Sequence, residues 1–149
     1  MYETIVVGTD GSARADEAVD HAIDLARSLG SRLHIVHAVD DRPHESATMS
    51  AATRARLEAD RSLDQGDVVT ATALARAAAK GVTGQGHNPR GEAVDALLAV
   101  AAAEAADLIV VGNKGMSGLR RFVLGSVPSR LARRCAATLL IVDTDASTR

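Results

Sequence analysis

The sequence predicts an α/β fold, a single-domain doubly wound parallel sheet with helices on both faces. Three observations predict it. Short β-branched apolar runs recur along the chain, at Thr4–Thr9, Arg32–Val39, Asp107–Gly112 and Thr138–Val142. Segments with helical periodicity or helix-forming composition separate them. Each run ends in glycine or polar residues of the kind that close a buried strand. Strands alternating with helices pack as a parallel sheet covered on both sides. The 149 residues show no repeat and no linker, which suits one domain over 1–149, with a polar tail at 143–149 expected to fray.

The elements follow in order. The first run stops at Gly8-Thr9-Asp10-Gly11-Ser12, where Ser12 can cap a helix. Val19, Ala22, Ile23, Ala26 and Leu29 form one apolar face, and Gly30 closes it. The second strand ends near Asp40-Asp41, and residues 42–50 read as a loop around Pro43. Ala51–Lys80 is alanine-rich and helical by propensity, with an interruption expected at Gly66. Gly84, Gly86 and Pro89 argue against a strand in Gly81–Gly91, yet the alternation demands one near Gln85–Asn88. Glu92–Ala106 is a helix with Val94, Leu97, Leu98 and Ala101 inward. Ser126–Arg134 is the last helix.

The stretch DLIVVGNKGMSGLRRFVLGSV, residues 107–127, carries the chemistry. A strand runs into Gly112, Gly115 follows after two residues, and Gly125-Ser126 after nine more, at the start of a helix. Glycine allows a ligand to approach the main chain closely, and the unpaired N–H groups of a helix start suit a phosphate. Between Gly112 and Cys135 lie Lys114, Arg120, Arg121, Arg130, Arg133 and Arg134 and no acid, on a chain of net charge −2. Such a positive edge concentrates anions, and at least one arginine is a candidate for a phosphate contact. In open sheets of this class ligands bind beyond the strand C-terminal ends, at the point where strand order reverses.

Composition excludes other classes. Net charge is −2, and Tyr2 and Phe122 are the only aromatics, so neither general nucleic-acid binding nor base stacking is expected. No apolar run reaches membrane-spanning length, the N-terminus lacks a signal-like stretch, and the lone Cys135 fits a reducing compartment. A cytoplasmic location is the expectation. The pattern GxxxxGK[ST] is absent, and Gly84-Gln85-Gly86 fails as a dinucleotide fingerprint because Pro89 occupies the third glycine position. His34 and His37 are three apart on one strand and face opposite ways, and no Cys/His spacing suggests zinc. Ser126 has no histidine nearby in sequence to activate it as a nucleophile.

With these residues in view, the chain resembles the universal stress protein family over nearly its whole length. The resemblance rests on IVVGTDGS, on HAVD after the second strand, and on GNKGMSGLRRFVLGSV. Gly112-x2-Gly115-x9-Gly125-Ser126 looks like the signature of the family's ATP-binding branch; another branch lacks these glycines and does not bind ATP. The resemblance implies a flavodoxin-like sheet of order 3-2-1-4-5 and a homodimer paired through Thr138–Val142. It places Gly8, Thr9 and Asp10 beside the nucleoside, with Asp10 near the ribose, the Ala38 backbone at adenine, Gly112 at the ribose side, and Gly115, Gly125, Ser126 and Val127 at the phosphates, with Asn113 also among the nucleotide-binding residues. The implied ligand is ATP or another adenine nucleotide, with Mg²⁺ held through the phosphates. The implied role is a stress-response protein that acts on a protein partner; Lys114, Arg120 and Arg121 offer charge relief at a γ-phosphate but no residue stands out as a general base, so little or no turnover is expected.

Two positions depart from the family pattern. Pro128 has no N–H where a donor is common, leaving Ser129 as the candidate substitute. Gly91-Glu92-Ala93 replaces glycine, any residue, proline after the third strand. Cyclic AMP is the alternative ligand for the same pocket. A protein-interaction module with a vestigial pocket, or a slow ATPase, is also compatible with these residues.

Overall fold

The computed structural model describes residues 1–39, 66–114 and 123–144. The strands β1 (Thr4–Gly8), β2 (Arg32–Val36), β3 (Gly84–His87), β4 (Leu108–Gly112) and β5 (Thr138–Val142) form one sheet. Its order is β3-β2-β1-β4-β5, and every pairing is parallel. The helices are α1 (Ala13–Leu29), α2 (residues 66–79), α3 (Ala93–Ala103) and α4 (Ser126–Arg134). The fold class and strand order are those the sequence predicts.

The central strands explain their own composition. Ile5, Val6, Val7, Ile109 and Val110 are all fully buried, because helices cover both faces of β1 and β4. A parallel strand in that position reads as an unbroken apolar run. Ile5, Val7 and Val110 pack with the inner face of α1, while Val6 and Ile109 pack with α3 and Leu131 of α4. Helix α1 starts on Ser12, whose side chain accepts from the Ala15 N–H, and stops at Gly30 with φ of 69°.

β3 owes its unpromising sequence to packing. A Cβ on Gly86 would lie 3.1 Å from Thr70 Cβ and 3.2 Å from Leu74 Cδ1 of α2. The helix rests directly on the strand backbone, so side chains are excluded there. β2 is shorter than Arg32–Val39; Val39 returns as an isolated bridge to Arg90. The loop expected at residues 42–50 and the helical segment expected before Gly66 lie outside the described residues.

Two local features carry measurable consequences. The Ala106 N–H donates to Ala101 O at 2.8 Å past the end of α3, and Ala105 sits there with φ of +50°. That left-handed position favours glycine. Ala105 is exposed, so replacing it loses no packing. Ala105→Gly is expected to stabilise the protein by about 0.5 kcal/mol, after the entropy that glycine adds to the unfolded chain. Urea denaturation checks this, and a destabilised variant would contradict it.

Asp107 precedes β4, and its Oδ2 accepts the N–H groups of Glu3 at 2.8 Å and Thr4 at 3.0 Å. The bonds from Thr4 and Glu3 hold its carboxyl below the usual carboxylate range. A lowered folded pKa contributes stability above the unfolded value of about 3.9, and that contribution is lost as pH falls through the folded pKa. The stability gap between the parent and Asp107→Asn is therefore expected to close on acidification below about pH 4. Urea titrations at several pH values measure it, and a gap independent of pH would refute the assignment.

Candidate functional site

A cleft of about 270 Å³ opens at the C-terminal ends of β1, β2 and β4. It lies where strand order reverses between β1 and β4, as open parallel sheets require. Gly8, Thr9, Asp10, Ala38, Gly112, Gly125, Ser126 and Val127 all line it. The structure thus brings together residues from three strand ends and one helix start that are far apart in sequence. Gly115 lies outside the described residues, as do Arg120 and Arg121.

The first wall is the turn after β1. The Thr9 N–H donates to Val36 O at 2.9 Å, and Thr9 O accepts from His37 Nδ1 at 3.0 Å. Asp10 Oδ1 accepts the Ser12 N–H at 2.9 Å, which fixes the carboxylate at the mouth of α1. Ala38 stands between two bonded neighbours. The His37 N–H donates to His87 O and the Val39 N–H to Pro89 O, while the Ala38 backbone has no hydrogen bond among the described residues. Ala38 lines the cleft between them.

The second wall is the start of α4. Gly125 is its N-cap, with φ of −60° and ψ of 164° and no side-chain cap. The Gly125 N–H donates to Asn113 O at 2.8 Å, so it is engaged within the protein. The Ser129 N–H donates to Gly125 O at 3.2 Å and its Oγ to the same oxygen at 2.8 Å, so Ser129 does not replace the donor missing at Pro128. Ser126 and Val127 are the residues of this turn whose N–H groups have no backbone partner among the described residues. Unpaired N–H groups at a helix start, together with the helix dipole, favour an anion.

Sequence reasoning misplaced some residues and missed others. Asn113 does not line the cleft. Its Nδ2 donates to Asp143 Oδ1 at 3.0 Å, and its Oδ1 accepts from the Thr144 N–H and, at 2.7 Å, from Thr144 Oγ1. It ties the end of β4 to the end of β5. Asp143 and Thr144 are accordingly held, and Thr144 is buried, whereas the sequence placed both in a fraying tail; residues 145–149 lie outside the described residues. Arg130 pairs with Glu92 at 2.6 Å and Arg134 with Asp95 at 2.8 Å, so these two arginines join α4 to α3.

Ala15, Val36, Ala93, Leu97 and Val111 complete the lining unpredicted, beside Lys114 and Pro128, which the sequence singles out. Leu97 and Val111 supply an apolar floor, and their inward periodicity could have shown it. Lys114, only 8% exposed, brings a cation to the wall. Asp10 is the one carboxylate among the described lining residues. The lining thus combines an apolar floor, one carboxylate and one cation.

Comparison with known proteins agrees with this fold. A model of the universal stress protein family matches residues 1–143. The universal stress protein Rv1636 of Mycobacterium tuberculosis is 38% identical over 153 aligned positions, covering 96% of this chain and 97% of that protein. A universal stress protein solved in complex with cAMP is 37% identical, with a TM-score of 0.73 over 96% of this chain and 98% of the other. The UspA structure from Lactobacillus plantarum, at 20% identity, matches the fold with a TM-score of 0.81 over 95% of this chain and 97% of its own. The chain belongs to the universal stress protein family.

Proposed function

We propose that this protein is a non-catalytic adenine-nucleotide-binding stress protein whose favoured ligand is cyclic AMP. The observation that carries the reading is the donor count at α4. Gly125 and Ser129 have engaged N–H groups and Pro128 has none, so Ser126 and Val127 remain for the anion. Two adjacent donors match one phosphate. The similar protein solved with cAMP supports the same choice. In this reading Ala38 meets the adenine edge, Asp10 the ribose side and the α4 start the cyclic phosphate.

A second reading, ATP with Mg²⁺, is favoured by Lys114, because a buried cation in the wall suits a more highly charged ligand. Gly115 would then take part in holding the phosphates. Calorimetric titration of nucleotide-stripped protein separates the two. Tighter binding of cyclic AMP, unaffected by Mg²⁺, is the expected result. Tighter ATP binding strengthened by Mg²⁺ would establish the second reading, and no binding of either would refute both and leave a protein-interaction module.

The reading includes one domain over the chain, a cytoplasmic location and a homodimer through Thr138–Val142. β5 is an edge strand, and Leu139, Leu140 and Ile141 are only partly buried. An uncovered apolar edge is a template for a second strand. Nucleotide binding at α4 and β4, next to that edge, would alter the surface shown to a protein partner.

A further inference from the structure

We propose that His34, His87 and Glu104 form a binding site for one divalent transition-metal cation of the zinc type, separate from the nucleotide cleft. The three residues come from β2, from β3 and from the C-cap of α3. None of them lines the cleft. Their sequence separation hides them from any spacing pattern, and the pairing of His34 with His37 considered from sequence points the wrong way.

The geometry is close to that of a ligand set. His34 Nδ1 lies 3.0 Å from His87 Nε2, and His34 Nε2 lies 3.7 Å from Glu104 Oε2. One ligand atom from each residue can be chosen so that all three lie within 4.8 Å of one another. A tetrahedral zinc site has metal–ligand bonds of about 2.0–2.2 Å, which puts neighbouring ligand atoms roughly 3.3 Å apart. The two imidazoles are already at about that spacing. With the three ligand atoms within 4.8 Å of one another, the carboxylate must close by up to about 1.5 Å on the same tetrahedral measure. Glu104 can do so, because its side chain is 30% exposed at a helix end.

Donor chemistry and position select the ligand class. Two imidazoles and one carboxylate are the donor set of an open zinc site, with a fourth position for water or an incoming ligand. His34 is 4% exposed and fixes the inner corner on β2. Its register places it beside Gln85, two pairs before Val36↔His87, so the sheet itself presets the two rings. The ring centroids are 5.2 Å apart, with 30° between the ring planes. A cation here would join β2, the edge strand β3 and the end of α3.

The test uses the full chain after treatment with a chelator. Zn²⁺ is titrated calorimetrically, and Co²⁺ is followed by its visible absorption as a reporter of coordination. The wild type is expected to take one equivalent of either ion and to gain thermal stability with Zn²⁺. His87→Gln keeps a hydrogen-bonding side chain for His34 but removes a good ligand; Glu104→Gln removes the charge at a partly exposed position. Both are expected to weaken binding at least tenfold and to lose the Zn²⁺-dependent rise in Tm. His21→Ala, on the exposed face of α1, is expected to bind as the wild type does. No saturable binding by the wild type, or binding unchanged in both His87→Gln and Glu104→Gln, would overturn the proposal.

Discussion

Ser126→Pro is expected to fold like the parent and to bind cyclic AMP roughly ten- to a hundredfold more weakly, the loss of one hydrogen bond to a charged group at about 1.5–3 kcal/mol. Ser126 is the first residue of α4, a position that proline tolerates because the N–H there needs no partner in the helix. The residue before it, Gly125, already has φ of −60° and ψ of 164°, the conformation a following proline imposes. The substitution breaks no backbone bond among the described residues, since the Ser126 N–H makes none. It therefore removes the N–H and the hydroxyl of Ser126 from the cleft while leaving the backbone bonds of the turn in place. Ser126→Ala removes only the hydroxyl and divides the effect between side chain and main chain. Calorimetry gives the affinities and thermal melting gives the fold. Parent-like affinity in a parent-like Ser126→Pro would remove the α4 start from the site.

Gly125 would be the more obvious residue to change, and the structure shows why it is the less informative one. Its φ is ordinary, yet a Cβ there would lie 3.1 Å from Asn113 O and 3.4 Å from Lys114 Cα. Both are backbone atoms that cannot swing aside. The glycine is required by the close passage of the β4 exit over the α4 start. Gly125→Val would disturb that crossing as well as any ligand, so lost binding alone could not separate the two causes.

The same crossing shows what the sequence can and cannot reveal. β1 and β4 were legible because a strand buried on both faces must be apolar throughout, and Ile5 to Val7 and Leu108 to Val111 are. Ser12 and Gly30 were legible because capping chemistry is local. β3 was not, because its glycines answer to Thr70 and Leu74 of α2, a contact with no local signature. The cleft residues at strand ends followed from the rule for reversed strand order. Asn113 did not, because adjacency to Gly112 says nothing about which way a side chain turns; Asp143 and Thr144 claim it. The ion pairs of Arg130 and Arg134 were hidden for a similar reason. Their partners Glu92 and Asp95 sit at the start of α3, beyond any window in which charge pairing can be read.

The seating of α4 is also where stability and binding meet. Pro128 and Leu131 are the buried residues of this helix, and Leu131 is fully buried among Val6, Val94, Leu97 and Ile109. Leu131→Ala is expected to cost about 2–5 kcal/mol, the transfer of the lost methyl groups plus the cavity they leave. The ion pairs Arg130–Glu92 and Arg134–Asp95 offer little compensation, because exposed pairs contribute roughly 0–1 kcal/mol each. With its one large apolar anchor gone, α4 is expected to open before the sheet does. Hydrogen exchange should then quicken in Ser129–Arg134 more than in β1 and β4, whose core on the α1 face is untouched. Affinity for cyclic AMP should fall as well, because the Ser126 and Val127 donors are aligned only while the helix is docked. Uniformly faster exchange across α4 and the sheet would show instead that α4 and the strands unfold as one cooperative unit, and the helix would then have no independent motion through which a bound nucleotide could be sensed.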